Sequence, residues 1–303
     1  MTTERPPVSA FLIGALAPLF WSGNFLIARM MAGTIPPIQM SFWRWVVAFL
    51  IFLPFALPLF AAHRAAIRRE LPFLVVLGGV GITAFNCFIY AAMHFTTVVN
   101  ASLINSLLPV FTFLLATIIL RDHPLRAQIA GVGVAIIGAL VIIARGDAGA
   151  LAALSFNRGD LLVIGGVVFW ALYTVLIRWR RTALPLNLFL FVTIGFGVLF
   201  HLPLIAFEYP RMGGMPVTAA TLSAIVFFGV FPSVLAYICW NRTVAVMGPG
   251  RTGMFMYLMP VFSTLLGVIV LDETFRTYHA IGIALIFAGV ALTTGVMKFG
   301  RKS

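Results

Sequence analysis

The chain has 303 residues, 62% hydrophobic and 9% charged, with a mean hydropathy of +1.09 and a formal charge of +12 from 20 Lys+Arg and 8 Asp+Glu. Soluble domains carry about 25% charged residues, so the composition excludes a water-soluble enzyme or regulator and leaves the lipid bilayer as solvent. The positive sum does not indicate nucleic acid, which would need an exposed basic face. Cys87 and Cys239 both lie in apolar runs, so no disulfide framework or metal quartet is available; no cofactor and no metal are expected.

Ten stretches meet the ~20-residue apolar length of a spanning helix. In chain order they are Ser9–Arg29, Ile38–Phe60, Leu71–Ala92, Val98–Leu120, Pro124–Ile143, Gly159–Arg178, Pro185–Phe207, Val217–Trp240, Gly248–Leu271 and Tyr278–Met297. The runs are continuous and lack the alternation of barrel strands. The first carries no small-residue cleavage site at its end, so it is expected to be retained. With connections assigned alternately, fourteen basic residues fall on the N-terminal side and five on the other: Arg29, Arg145, Arg158, Arg211 and Arg276. The positive-inside rule then places both termini in the cytoplasm.

The two halves resemble each other. At an offset of 149, Phe20-Trp21 falls on Phe169-Trp170, Arg29 on Arg178, Pro36 on Pro185 and Pro54 on Pro203. At 151, Pro109-Val110-Phe111 falls on Pro260-Val261-Phe262, and Gly78, Gly131 and Gly138 on Gly229, Gly282 and Gly289. Five spans per half force the second copy to enter from the opposite face. The fold class expected is an all-α polytopic membrane protein of ten transmembrane helices in two five-helix inverted-topology repeats, an arrangement that recurs in secondary transporters.

Two segments carry a family resemblance. Tyr90–Phe111 (YAAMHFTTVVNASLINSLLPVF) and Trp240–Phe262, the latter running on to Leu271-Asp272-Glu273-Thr274, resemble the EamA repeat of the drug/metabolite transporter superfamily. The first copy departs from the pattern at Leu120-Arg121-Asp122, with aspartate in place of the usual glutamate. The repeats take residues 8–145 and 157–298. The resemblance implies a carrier with a central cavity opened alternately to either face, and overall the chain looks most like the YddG-type exporters of aromatic amino acids. It also implies a bacterial inner-membrane location, an amino acid substrate, no nucleic-acid partner, and a monomer or homodimer.

Polar groups inside spans are costly unless they face a cavity or a neighbouring helix. Symmetry-related positions supply the substrate-binding candidates: Trp21 and Asn24 with Trp170 and Tyr173, Asn86 and Tyr90 with Tyr237 and Asn241, and Asn105 and Ser106 with Met256 and Tyr257. Amides and phenols can bond the ammonium and carboxylate of an amino acid, and aromatic faces supply apolar area and cation–π contact. The bland reading of each is a bond to a neighbouring helix. Gly131, Gly133, Gly138, Gly282 and Gly289 suggest close packing of the fifth and tenth spans. Arg44, flanked by Trp43 and Trp45, is expected to snorkel to the interface, and Arg251 to be a positive-inside anchor. Pro109 and Pro260 are expected to kink their helices. All eight acids fall at segment ends or in loops and His201 is expected to bond a carbonyl, so no proton relay is expected. Carriage of a sugar phosphate, nucleotide sugar or nucleoside is the alternative, and for the anionic substrates it is disfavoured by the scarcity of buried cations. A channel is a remote alternative. No paired intramembrane acids or HExxH argue for an enzyme.

Overall fold

The computed structural model describes residues 8–294, apart from positions 32, 93, 94, 97, 148, 150–154, 272 and 273; the side chains of Phe25, Arg29, Tyr90, 98–100, Leu103 and Leu271 also lie outside the description. The termini and Asp272-Glu273 are therefore not placed. Every regular element among the described residues is helical: α1 (Val8–Met30), α2 (Pro37–Leu77), α3 (Phe85–Ala92), α4 (Val98–Asn105), α5 (Leu108–Leu120), α6 (Arg126–Ile143), α7 (Arg158–Trp179), α8 (Leu186–Met212), α9 (Ala219–Phe228), α10 (Ala236–Met247), α11 (Pro249–Gly253), α12 (Leu258–Leu271) and α13 (Thr277–Thr294). This is the all-α polytopic class, and eight runs are long and apolar enough to cross a membrane. Large apolar side chains such as Leu12, Phe55, Ile118 and Ile269 point outward, as lipid contact requires and water contact would penalise.

Helix starts follow local chemistry. Pro36 and its equivalent Pro185 stand at the N-caps of α2 and α8, where the fixed φ suits a helix entry. Asn157 caps α7 by accepting from Gly159 N at 2.8 Å, and Asp160 Oδ2 accepts from Asn157 N at 2.8 Å, a reciprocal capping box.

Several spans depart from expectation. The segments expected at Ile38–Phe60 and Leu71–Ala92 form one unbroken helical run. That run folds back on itself: Ser41 Oγ and Thr83 Oγ1 lie 2.9 and 3.4 Å from the two ring nitrogens of His201. A straight helix would hold residues that far apart in sequence roughly 60 Å apart. Both arms therefore pack on α8, the reversal falling in the stretch that carries Pro54, Pro58 and Pro72. The segment expected at Val98–Leu120 is instead divided at Ser106-Leu107, and Pro109 sits in the first turn of α5. Pro260 likewise stands in the first turn of α12, after a short 3₁₀ segment at Met254–Tyr257. The prolines start new helices where kinks were expected, because a first-turn N–H has no intrahelical acceptor to lose.

The repeat is visible in the backbone. Gly78–Ala84 and Gly229–Leu235, offset by 151 residues, are both π-helical. Helices α6 and α13 cross in the same reciprocal sense. A Cβ on Gly138 would lie 2.7 Å from Gly282 O and one on Gly282 2.7 Å from Gly138 O, while one on Gly131 would lie 2.6 Å from Gly289 O. Gly133 takes no part, having open space around it. Gly138→Val is expected to cost about 1–3 kcal/mol through overpacking, and Gly133→Ala to be neutral or slightly stabilising; thermal unfolding of the two purified variants in detergent checks the contrast.

Candidate functional site

Each π segment passes over one carbonyl. The N–H of Phe85 bonds Val80 O and that of Ala236 bonds Phe231 O, both five residues back. Where four-residue spacing resumes, the carbonyls of Gly81 and Pro232 are left without a backbone donor. A buried acceptor must be satisfied by a side chain. Tyr237 donates its hydroxyl to Gly81 O at 2.8 Å, and Trp21 donates Nε1 to Pro232 O at 3.0 Å. The two symmetry-equivalent carbonyls thus hold aromatic residues of α10 and α1 at the middle of the molecule.

Around them the rings pack into one cluster. Trp21 and Trp170 meet edge-on at 5.2 Å between centroids, Trp170 stacks on Tyr173 at 5.4 Å, and Tyr237 lies 5.3 Å from Trp170. Tyr173 and Asn241 exchange hydrogen bonds, with Asn241 Nδ2 donating to the Tyr173 hydroxyl at 3.0 Å and also to Tyr237 O at 2.8 Å. Five of the sequence candidates, Trp21, Trp170, Tyr173, Tyr237 and Asn241, are therefore brought together. Three rings join them without having been singled out: Trp240, which meets Trp21 at 5.2 Å, Trp45, which meets Tyr237 at 4.9 Å, and Phe85, which meets Trp170 at 5.1 Å. Trp240 follows Tyr237 by three residues on one helix face, a signal the sequence did contain.

The others separate. Asn86 bonds Ile82 O in its own helix at 2.7 Å, which is its bland reading. Asn105 ends α4 and is half-buried. Tyr257 belongs to a second cluster with Met254, Phe255 and Ile286, away from the central rings. The Tyr90 side chain lies outside the described residues. Asn24 accepts from Arg44 Nη1 at 3.4 Å.

Arg44 corrects an expectation. It does not snorkel: its side chain is 4% exposed, and Nε donates to Ser233 Oγ at 2.9 Å. Its two tryptophan neighbours part, Trp43 facing outward and Trp45 fully buried. His201 donates to or accepts from Ser41 and lies 2.8 Å from Gly197 O, the carbonyl contact expected of it. Three of the acids at segment ends, Glu70, Asp160 and Glu208, are buried. Glu208 accepts from Ile38 N and Gln39 N at 2.8 and 3.0 Å, and Glu70 accepts from Thr182 Oγ1 at 2.6 Å.

Two polar atoms in the cluster, Trp45 Nε1 and Trp170 Nε1, have no hydrogen-bond partner among the described residues. Trp170 is the equivalent of Trp21, and symmetry would give it the carbonyl of Gly81, but Tyr237 occupies that acceptor. The expected central cavity is filled by the rings in this conformation. A hollow of about 340 Å³ lies to one side, lined by Gly79, Thr83, Cys87, Phe88, Phe200 and Leu204. The halves are also unequally closed. Thr252–Met259 is buried throughout, with Gly250 against Phe113, whereas the described side chains of the equivalent stretch 101–108 are mostly half-buried and Leu107 is exposed.

A membrane-embedded helical bundle of two related halves, with aromatic and amide groups from both meeting at its middle, has the make-up of a secondary transporter. The EamA-like transporter family model matches residues 8–144 and 157–295, and the chain belongs to that family. The uncharacterized transporter YyaM of Bacillus subtilis is 30% identical over 93% of this chain and 92% of its own length. A probable terminal-alkyne amino-acid exporter of Streptantibioticus cattleyicolor is 30% identical over 74% of this chain and 73% of its own. The aromatic amino acid exporter YddG of Ancylobacter novellus is 27% identical over 94% and 97%. A crystal structure at 25% identity superimposes with a TM-score of 0.77, covering 97% of this chain and 98% of the other.

Tyr237→Phe leaves the buried Gly81 carbonyl without its donor and is expected to cost about 1–3 kcal/mol of stability. Tyr173→Phe, whose partner Asn241 keeps its bond to Tyr237 O, is expected to cost less, about 0.5–1.5 kcal/mol. Thermal unfolding of both variants tests the ranking.

Proposed function

We propose that the protein exports aromatic or other apolar amino acids from the bacterial cytoplasm by alternating access, from an inner-membrane position with both termini inside. The observation that carries this reading is the central cluster of Trp21, Trp45, Trp170, Tyr173, Tyr237 and Trp240, drawn from both halves, with the indole donors of Trp45 and Trp170 unpartnered among the described residues. An aromatic side chain entering between these rings keeps their contacts in kind, and an amino acid's carboxylate gives an orphan indole N–H an acceptor. The two relatives named as amino acid exporters support the same substrate class.

The unequal halves supply the cycle. With the termini inside, the tight contact of Gly250 and Gly253 against Phe113 and Thr112 lies on the cytoplasmic side, and the looser stretch 101–108 on the outer side. The conformation is then outward-facing, and exchanging the two packings between the repeats gives the inward-facing state. The substrate gradient drives the flux: the buried acids Glu70, Asp160 and Glu208 cap helix ends, and none stands in the central cluster.

In proteoliposomes, uptake of radiolabelled tryptophan is expected to saturate, to be competed by phenylalanine, and to persist when an imposed pH gradient is collapsed. Trp170→Ala is expected to lower it at least about tenfold, since a buried aromatic anchor is typically worth more than 1.4 kcal/mol. Flux that phenylalanine does not compete, or that vanishes with the gradient, overturns the substrate or the energetics respectively.

A further inference from the structure

Arg44 is a buried cation without a counter-ion among the described residues. The ion pair described in the chain joins Arg69 and Glu70, and Arg44 has no acidic partner among the described residues. Its guanidinium is held by neutral acceptors on two other elements. Nε donates to Ser233 Oγ at 2.9 Å, Nη1 to Asn24 Oδ1 at 3.4 Å, and Nη2 to Pro232 O at 3.4 Å. The last two are longer than the 2.7–3.2 Å of a good N–H···O bond. A charge held in a membrane interior at this cost marks a functional position by default.

The position adjoins the aromatic cluster. Pro232 O, which takes Nη2 of Arg44, also takes the indole N–H of Trp21, and the guanidinium carbon lies 5.0 Å from the Trp45 ring centroid. We propose that Arg44, Asn24 and the π-segment carbonyl of Pro232 form the head-group subsite of the carrier, recognising an α-amino carboxylate whose side chain lies among Trp21, Trp45 and Trp170. The exchange of bonds is balanced. A carboxylate takes both Nη groups in the bidentate, charge-assisted geometry that guanidinium favours. Asn24 Oδ1 and Pro232 O, released by those groups, then accept from the ammonium. Ser233 keeps Nε and so holds the fork in place. The subsite explains why the symmetry of the halves is broken here, since Gly81 O, the equivalent of Pro232 O, has a tyrosine hydroxyl for its partner and no arginine.

This inference rests on the reading of the protein as an amino acid carrier, and one titration separates the two. Quenching of intrinsic tryptophan fluorescence is followed in nanodiscs with phenylalanine, phenylalaninamide, phenethylamine and 3-phenylpropionate, alongside proteoliposome uptake of phenylalanine. Arg44→Gln is expected to weaken phenylalanine and 3-phenylpropionate by about 10–100-fold and to leave phenethylamine and the amide within about twofold. Arg44→Lys is expected to recover part of the loss for the two carboxylates. If Arg44→Gln does not fold, Asn24→Ala carries the comparison, with the amine-bearing ligands weakened and 3-phenylpropionate unchanged. Equal loss for all four ligands, or no loss, overturns the subsite while phenylalanine uptake by the unaltered protein still supports the carrier. Arg44-dependent binding of 3-phenylpropionate without phenylalanine uptake keeps the carboxylate subsite and overturns amino acid export.

Discussion

Two backbone carbonyls, Gly81 O and Pro232 O, organise the middle of this protein. In a bilayer no water satisfies a stray acceptor, so every backbone group must find a partner within the protein. The π segments at Gly78–Ala84 and Gly229–Leu235 each leave one carbonyl over, and each recruits a hydroxyl or indole from the neighbouring span. That obligation fixes the heights of α1 and α10 against the π segments. The remaining rings then pack around two anchored members, and an arginine is drawn to the same point as Trp21.

The same scarcity of water explains the buried acids. Glu208 accepts from the first free N–H groups of α2, Glu70 from the chain entering α8, and Asp160 from the start of α7. A carboxylate among helix N-terminal donors is stabilised by the helix dipole and by several hydrogen bonds. Glu208 and Glu70 tie one span to the start of another. They are structural joints between the arms of the bundle, whereas Arg44 stands next to the central rings.

The repeat is kept in the structure where packing is tightest and relaxed at the ends of the fourth and ninth spans. The glycine crossings of α6 on α13 are reciprocal to within about 0.1 Å in the approach of Gly138 and Gly282 to each other's carbonyls, and a rigid seam there is compatible with either arrangement of the rest. The ends of the fourth and ninth spans are unequal, one buried throughout and one half-open. Equivalent segments in unequal environments are what the alternating-access cycle proposed for inverted halves requires of its moving parts.

Much of this was legible in the sequence. The apolar spans, the offsets of 149 and 151, the glycine seam and the aromatic positions at Trp21, Trp170, Tyr173 and Tyr237 all follow from residue type and period, because a helix in lipid leaves few choices for its backbone. Asn86 was singled out on the same grounds but bonds its own helix, since a side-chain amide one turn from a carbonyl satisfies itself locally. Tyr257 fell into a separate core because the 3₁₀ turn before α12 rotates its face away from the periodicity assumed. Arg44 was misplaced for a different reason: flanking tryptophans are the mark of an interface, and only the packing shows that one of them faces lipid and the other the core.

Sequence by itself determined the solvent, the helical class and the duplication, all of which are properties of composition and period along the chain. Tertiary structure decided what no linear pattern carries: which carbonyls a π segment sets free, which rings reach them, and where the Arg44 guanidinium finds its acceptors. Those outcomes depend on distances between residues up to 211 positions apart, as in the bond from Trp21 to Pro232, and such distances are fixed only when the spans pack.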